Sequence, residues 1–91
     1  MNQSLRTANA KEHLSFAQWL AKQVDRNDPI GDVARDDLWA REHDMPEATV
    51  PNREIELWDL VEFLENVEAC EGARRAFLEA WEEWKYGLSL A

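Results

Sequence analysis

Between Glu54 and Glu71 the chain carries seven carboxylates and no Lys or Arg. Six of them, Glu56, Asp59, Glu62, Glu65, Glu68 and Glu71, recur at every third residue. Carboxylates in number can serve acid–base catalysis, hold a cation, or present negative charge to a basic partner. A catalytic acid or base must sit in a cleft that shifts its pKa, whereas these acids are predicted on an exposed helix face. On an α-helix each three-residue step turns about 300° and rises about 4.5 Å. Glu56, Asp59, Glu62 and Glu65 therefore spiral across the outer half of one helix. Two readings stay open. The series is either the solvated face of an acidic protein or a negative ridge that engages a basic protein groove, including as a nucleic-acid mimic.

The other reactive residues form no recognisable site. Asp25, Asn27 and Asp32 invite a calcium-loop reading, but such a loop needs an acid or amide at its fifth position and Gly at its sixth. Counted from Asp25, those positions hold Pro29 and Ile30. His13 and His43 have no zinc-ligand spacing and read as surface histidines. Cys70 is the single cysteine; with no partner for a disulfide it fits a reducing compartment and reads as a small buried hydrophobe. There is no Gly-rich phosphate loop and no Ser/His/Asp pattern. No catalytic, cofactor-binding or metal-binding residue is assigned, and no enzyme activity is expected.

The composition narrows the class further. The chain has 91 residues, 19 acids against 10 bases and a net charge of −9. That length supports one domain with one small core. Three Gly and three Pro are too few for a loop-rich β fold. The longest apolar runs are three residues, such as Leu38-Trp39-Ala40, against the roughly 20 that a membrane span needs. Met1 to His13 lacks the apolar stretch of a secretory signal, so a cytoplasmic location is expected. The negative charge opposes binding to phosphate backbones and anionic membranes and favours basic protein surfaces.

Four helices account for the hydrophobic pattern. Residues 1–13 read as a flexible tail. Ser15 with Gln18 forms a capping box that opens a first helix over about 15–24, with Phe16, Trp19, Leu20 and Val24 as its stripe. Asp28-Pro29 is a cap followed by proline at the first helical position, and it opens a second helix over 29–42. Ile30, Val33, Ala34 and Leu38 form its inner face; Asp37 intrudes on that face and needs Arg41, one turn on, as its partner. Residues 43–52, with Pro46 and Pro51, are a connector ending in Asn52 as a cap. The third helix starts near Arg53, carries Leu57, Leu60, Val61 and Leu64, and has a stripe wide enough to be central. It must stop near Asn66, because continuing would place Glu68 in its apolar face. Ala69, Cys70, Ala73, Ala76, Phe77, Ala80, Trp81 and Trp84 then share one face of a fourth, longest helix through about 84, ended by Gly87. Residues 88–91 read as a short tail. The expected core is Phe16, Trp19, Leu20, Leu57, Val61, Leu64, Phe77 and Trp81.

Two further features point outward. Trp39 lies about 180° from Ile30 on the second helix; it serves either an interface or a contact with the 43–52 loop or the N-terminal segment. Arg74 and Arg75 stand early in the fourth helix, where the dipole disfavours cations. They pair with Glu71 and Glu79, or form the basic end of a head-to-tail contact with another copy.

The order of these signals resembles the YozE-like family of small bacterial helical domains with a SAM-like (sterile-alpha-motif-like) bundle. The resemblance rests on Ser15-Phe16 with Trp19-Leu20, and on Asp28-Pro29-Ile30-Gly31-Asp32-Val33-Ala34. It continues with Met45-Pro46, Glu54-Ile55, Leu64-Glu65 and Phe77-Leu78-Glu79-Ala80-Trp81, and covers about 15–86. It implies an all-α four-helix domain over 14–87 with a long last helix and no catalytic residues to carry over. Nucleic-acid binding or protein association is what such folds suggest.

The expectation is thus an all-α, compact four-helix module that binds another protein. Its candidate contact residues are Glu56, Asp59, Glu62, Glu65, Trp39, Arg74 and Arg75. The alternatives are an acidic nucleic-acid mimic, a phage- or defence-type inhibitor of a basic nucleic-acid-binding partner, and, after it, a DNA binder; self-association is compatible with the first reading. The charge predicts no duplex-DNA complex tighter than about 10⁻⁵ M near physiological salt. Fluorescence anisotropy across a salt series checks this, and a salt-sensitive nanomolar complex would contradict it.

Overall fold

The computed structural model describes residues 14–87, all helix, turn and connector, with no strand among them; both expected tails, and His13, lie outside this range. The helices are α1 (Phe16–Ala21), α2 (Pro29–Glu42), α3 (Leu57–Asn66) and α4 (Glu71–Tyr86), with a 3₁₀ turn at Pro46–Ala48. Each boundary has a chemical cause. Ser15 Oγ accepts from the Gln18 N–H at 3.1 Å and Gln18 Oε1 accepts from the Ser15 N–H at 3.0 Å, so the capping box forms. α1 ends at Ala21, short of the expected 24, because Gln23 replaces a helical bond with a side-chain one. Its side-chain amide donates to the Trp19 carbonyl at 3.0 Å while its backbone N–H bonds Leu20 O.

α2 starts as expected, with Asp28 Oδ1 accepting from the Gly31 N–H at 2.9 Å and Pro29 in the first turn. Arg26 fixes this corner: it bonds Asp28 at 2.8 Å and Glu83 of α4 at 2.9 Å. Glu83 first, then Asp28, raise the Arg26 pKa further above its ordinary value. The Arg26 guanidinium, followed by the Gly31 N–H, holds the Asp28 carboxyl below its usual range. The contribution of Asp28 is therefore in place above the ordinary carboxylate range and is lost as pH falls through the lowered folded-state value.

α2 and α3 end in the same way. Met45 N–H returns to Ala40 O at 2.9 Å, and Ala69 N–H returns to Leu64 O at 3.0 Å. In each case an acid occupies the left-handed position, Asp44 at φ 57° and Glu68 at φ 55°. These are Schellman turns, with Asp or Glu where glycine is usual. The stop after Asn66 is as expected. Gly87, at φ 67°, ends α4.

The core is formed by Phe16, Leu20, Ile30, Val33, Ala34, Leu60, Phe63, Leu64, Ala76, Phe77, Ala80 and Trp81, joined by Val50 and Ile55 from the connector. α4, rather than the third helix, is central: it packs against each of the other three, while α3 approaches only α4. The third helix also starts later than expected. Val50 and Ile55 run into the core first, and Asn52 accepts a hydrogen bond from Ser15 Oγ at 2.8 Å instead of capping a helix. With those side chains filling one flank, the buried stripe of α3 turns toward Phe63. Leu57 is left 45% exposed and Val61 half-buried. Trp19 and Leu38 are also half-buried. Cys70 is exposed, because α4 begins at Glu71 and makes Cys70 its N-cap instead of a face residue.

Glycine is required at one point. A Cβ on Gly31 would lie 2.0 Å from the Arg26 carbonyl oxygen, whereas one on Gly72 would meet nothing within 4 Å. Gly31→Ala is expected to cost at least about 2 kcal/mol, since the obstacle is backbone. Gly72→Ala is expected to be neutral or to stabilise by up to about 1 kcal/mol. Urea unfolding of both variants checks the contrast.

Candidate functional site

Two surfaces remain once packing and capping are assigned. The first is the outer face of α3. Asp59 leaves the acidic series: its Oδ2 accepts from the Glu56 N–H at 2.8 Å and lies 3.8 Å from Arg53. It closes the first turn of α3 as a capping acid. The side chains of Glu62 and Glu65 are exposed and make no hydrogen bond or ion pair to another described residue. Glu56 is exposed at the N-cap.

Trp58 joins them. It is 74% exposed, and its spacing to Glu62 and Glu65 is i+4 and i+7, so the three share one stripe. Trp58 is not among the contact residues expected from the sequence. The available signal was the apolar pattern itself: once Leu60, Phe63 and Leu64 point inward, position 58 has to point out.

The second surface is the cleft between α2 and α4. Trp39 stands at its edge, 54% exposed. His43, at the start of the connector, stacks on the indole at 3.9 Å with the rings 18° apart, and its Nδ1 lies 2.8 Å from Trp39 O. The connector therefore covers one side of Trp39 only. Beside it is a groove of about 320 Å³ with Phe63, Phe77 and Ala40 among its lining residues. Met45 and Ala69, the residues that complete the two Schellman turns, also line it. A neighbouring hollow of about 440 Å³ shares Asp36 and Ala73 with the groove, and Asp32, Gly72, Arg75 and Glu79 line it too. Arg75 bonds Glu71 at 3.3 Å as an exposed i,i+4 pair, and Arg74 is half-buried. The candidate residues thus divide: Glu56, Asp59, Glu62 and Glu65 on α3, Trp39 and Arg75 along the cleft.

Among the described residues no cluster of three or more His, Cys, Asp or Glu is placed to hold a metal ion, and no helix is long and apolar enough to cross a membrane. Asp32 of the calcium-loop pattern is paired to Arg35. No protein-family model, curated protein or solved structure matches the chain, so its function is argued from these surfaces.

The division of labour among the α3 acids is measurable. Asp59→Ala is expected to lower stability by about 0.5–2 kcal/mol, the cost of losing a helix cap. Glu62→Gln and Glu65→Gln are expected to stay within about 0.5 kcal/mol of the parent. Chemical unfolding of the three variants checks this.

Proposed function

We propose that this chain is a non-catalytic module that binds a protein with a basic surface through the outer face of α3. The observation that carries the reading is the exposed indole of Trp58, in register with the exposed carboxylates of Glu62 and Glu65. Large aromatic side chains are favoured anchors at protein interfaces, surrounded by polar groups that exclude water. Acids around such an anchor steer a cationic partner toward it, and the net charge of −9 extends that attraction.

Mimicry of nucleic acid has less support. It calls for an unbroken line of carboxylates. Here Asp59 is drawn into the helix cap and an indole stands on the stripe. Kinship with YozE-like domains is part of the same proposal, and it adds no catalytic residue.

The test begins with the immobilised chain and a bound protein identified by mass spectrometry. Trp58→Ala is expected to speed dissociation tenfold or more, as loss of a central anchor does. Neutralising Glu62 and Glu65 to Gln is expected to slow association several-fold at low salt, with the difference fading at high salt. A complex whose rates are unchanged in both variants would contradict the proposal.

A further inference from the structure

The groove beside Trp39 has a floor, a wall and a rim on which acids outnumber bases. Phe63 and Phe77 meet edge to face at 5.8 Å and are buried, with Ala40, among its lining. Trp39, braced by His43, stands over one side. The residues that line it include two acids, Asp36 and Asp37, and no Lys, Arg or His. Asp37 is committed internally; Asp36 is exposed. Exposed acids also flank the lining residues in sequence: Asp44 beside Met45, Glu47 beside Ala48, and Glu68 between Val67 and Ala69. Of the bases that flank them, Arg35 and Arg41 are paired with Asp32 and Asp37, and Arg74 beside Ala73 is half-buried. The volume, about 320 Å³, falls at the small end of the roughly 300–1,000 Å³ of ligand pockets and suits one or two large side chains.

The cleft is also elongated. The neighbouring hollow continues it between α2 and α4, and its α4 wall is made of small residues, Gly72, Ala73 and Ala76. Nothing within 4 Å of Gly72 requires a glycine there, although glycine weakens a helix relative to alanine. The missing side chain leaves the cleft open to another backbone. Asp32, Asp36 and Glu79 line this part, with Asp32 paired to Arg35; Arg75 is its one cation and is paired with Glu71.

From this geometry we propose that the α2–α4 cleft is a docking site for an amphipathic helix of a partner protein. One large apolar side chain of that helix enters the groove beside Trp39, and its flanking Lys or Arg residues face Asp36 and the acidic rim. Helix-in-groove recognition uses such anchors at i, i+4 and i+7, and charge complementarity selects a basic helix over an acidic one. Phe63 and Val67, which help line the groove, project about 140–180° around α3 from Trp58 at about 100° per residue. The site is therefore separate from the outer face of α3, and each reading can fail without the other.

The test uses the full ¹⁵N-labelled chain and a capped, alanine-based helical peptide with Leu at i, i+4 and i+7 and Lys at the flanking positions. Two control peptides carry Glu for every Lys, or Ser for every Leu. The Trp39 indole N–H signal is expected to shift saturably, with the Leu/Lys peptide binding at least tenfold more tightly than either control. Trp39→Ala and Gly72→Met are each expected to weaken binding at least tenfold; the second fills the cleft at a position with room for a side chain, so folding is preserved. Trp58→Ala is expected to change binding less than twofold. Equal binding of the Ser control, an unmoved Trp39 signal, or full affinity in Gly72→Met would overturn the proposal. So would two results in the free protein. A Trp39 signal that moves with protein concentration would make a second copy the occupant. Broadening of that signal by a nitroxide on Ala8→Cys, in a Cys70→Ser background, would make the chain's own N-terminal segment the occupant.

Discussion

A single carboxylate fixes the half of the molecule between α2 and α3. Asp37 lies on the inner face of α2 and is 3% exposed. Its Oδ1 accepts from the Val50 N–H at 2.9 Å, and its Oδ2 accepts from Arg41 at 2.8 Å. Arg41 reaches on to the Val50 carbonyl at 3.3 Å, so the pair grips both polar groups of one peptide residue. A buried charge is costly unless it is paired and hydrogen-bonded, and Asp37 is both. The geometry therefore holds the far end of the connector against α2. Val50 is thereby inserted into the core, and the intervening Met45–Ala48 segment is drawn up to wall the groove beside Trp39.

The consequences reach α3. With Val50 and then Ile55 buried, the chain spends residues 50–56 crossing the core before a helix can start. Ile55 is held further by Trp81, whose Nε1–H points at its carbonyl at 3.4 Å. α3 is left short and is supported by α4 alone among the described helices, and Leu57 and Trp58 are exposed on its outer face. Like charges at helical spacing mildly destabilise a helix. Glu62 and Glu65 are carried on α3 at that cost, and Asp59 offsets part of it as a cap.

Much of this was legible in the sequence because it is local. The Ser15 and Asp28 caps, the stop after Asn66, the Gly87 terminus and the Asp37–Arg41 pair all follow from residues within one or two turns of each other. What was not legible depends on residues distant in sequence. Val50 reads as an ordinary residue before a proline until Asp37 claims its N–H from 13 residues away. The rotation of α3, which exposes Leu57 and Trp58 and buries Phe63, follows from that insertion. Cys70 was misplaced because a run of small apolar residues extends the α4 pattern backward past its true start. The acidic series was legible as charge, but which of its members stay free depended on the cap that Asp59 makes.

The central claim is that the Asp37 clasp, and not the connector's own conformation, holds Val50 in the core. Native-state hydrogen exchange at the Val50 amide tests it most directly. In the parent chain this amide is expected to exchange as slowly as core amides of α2 and α4. In Asp37→Ala it is expected to exchange at least 100-fold faster, about 2.7 kcal/mol of lost protection, and by a larger factor than the core amides of α4. A Val50 amide that exchanges rapidly in the parent, or equally slowly in both chains, would contradict the account.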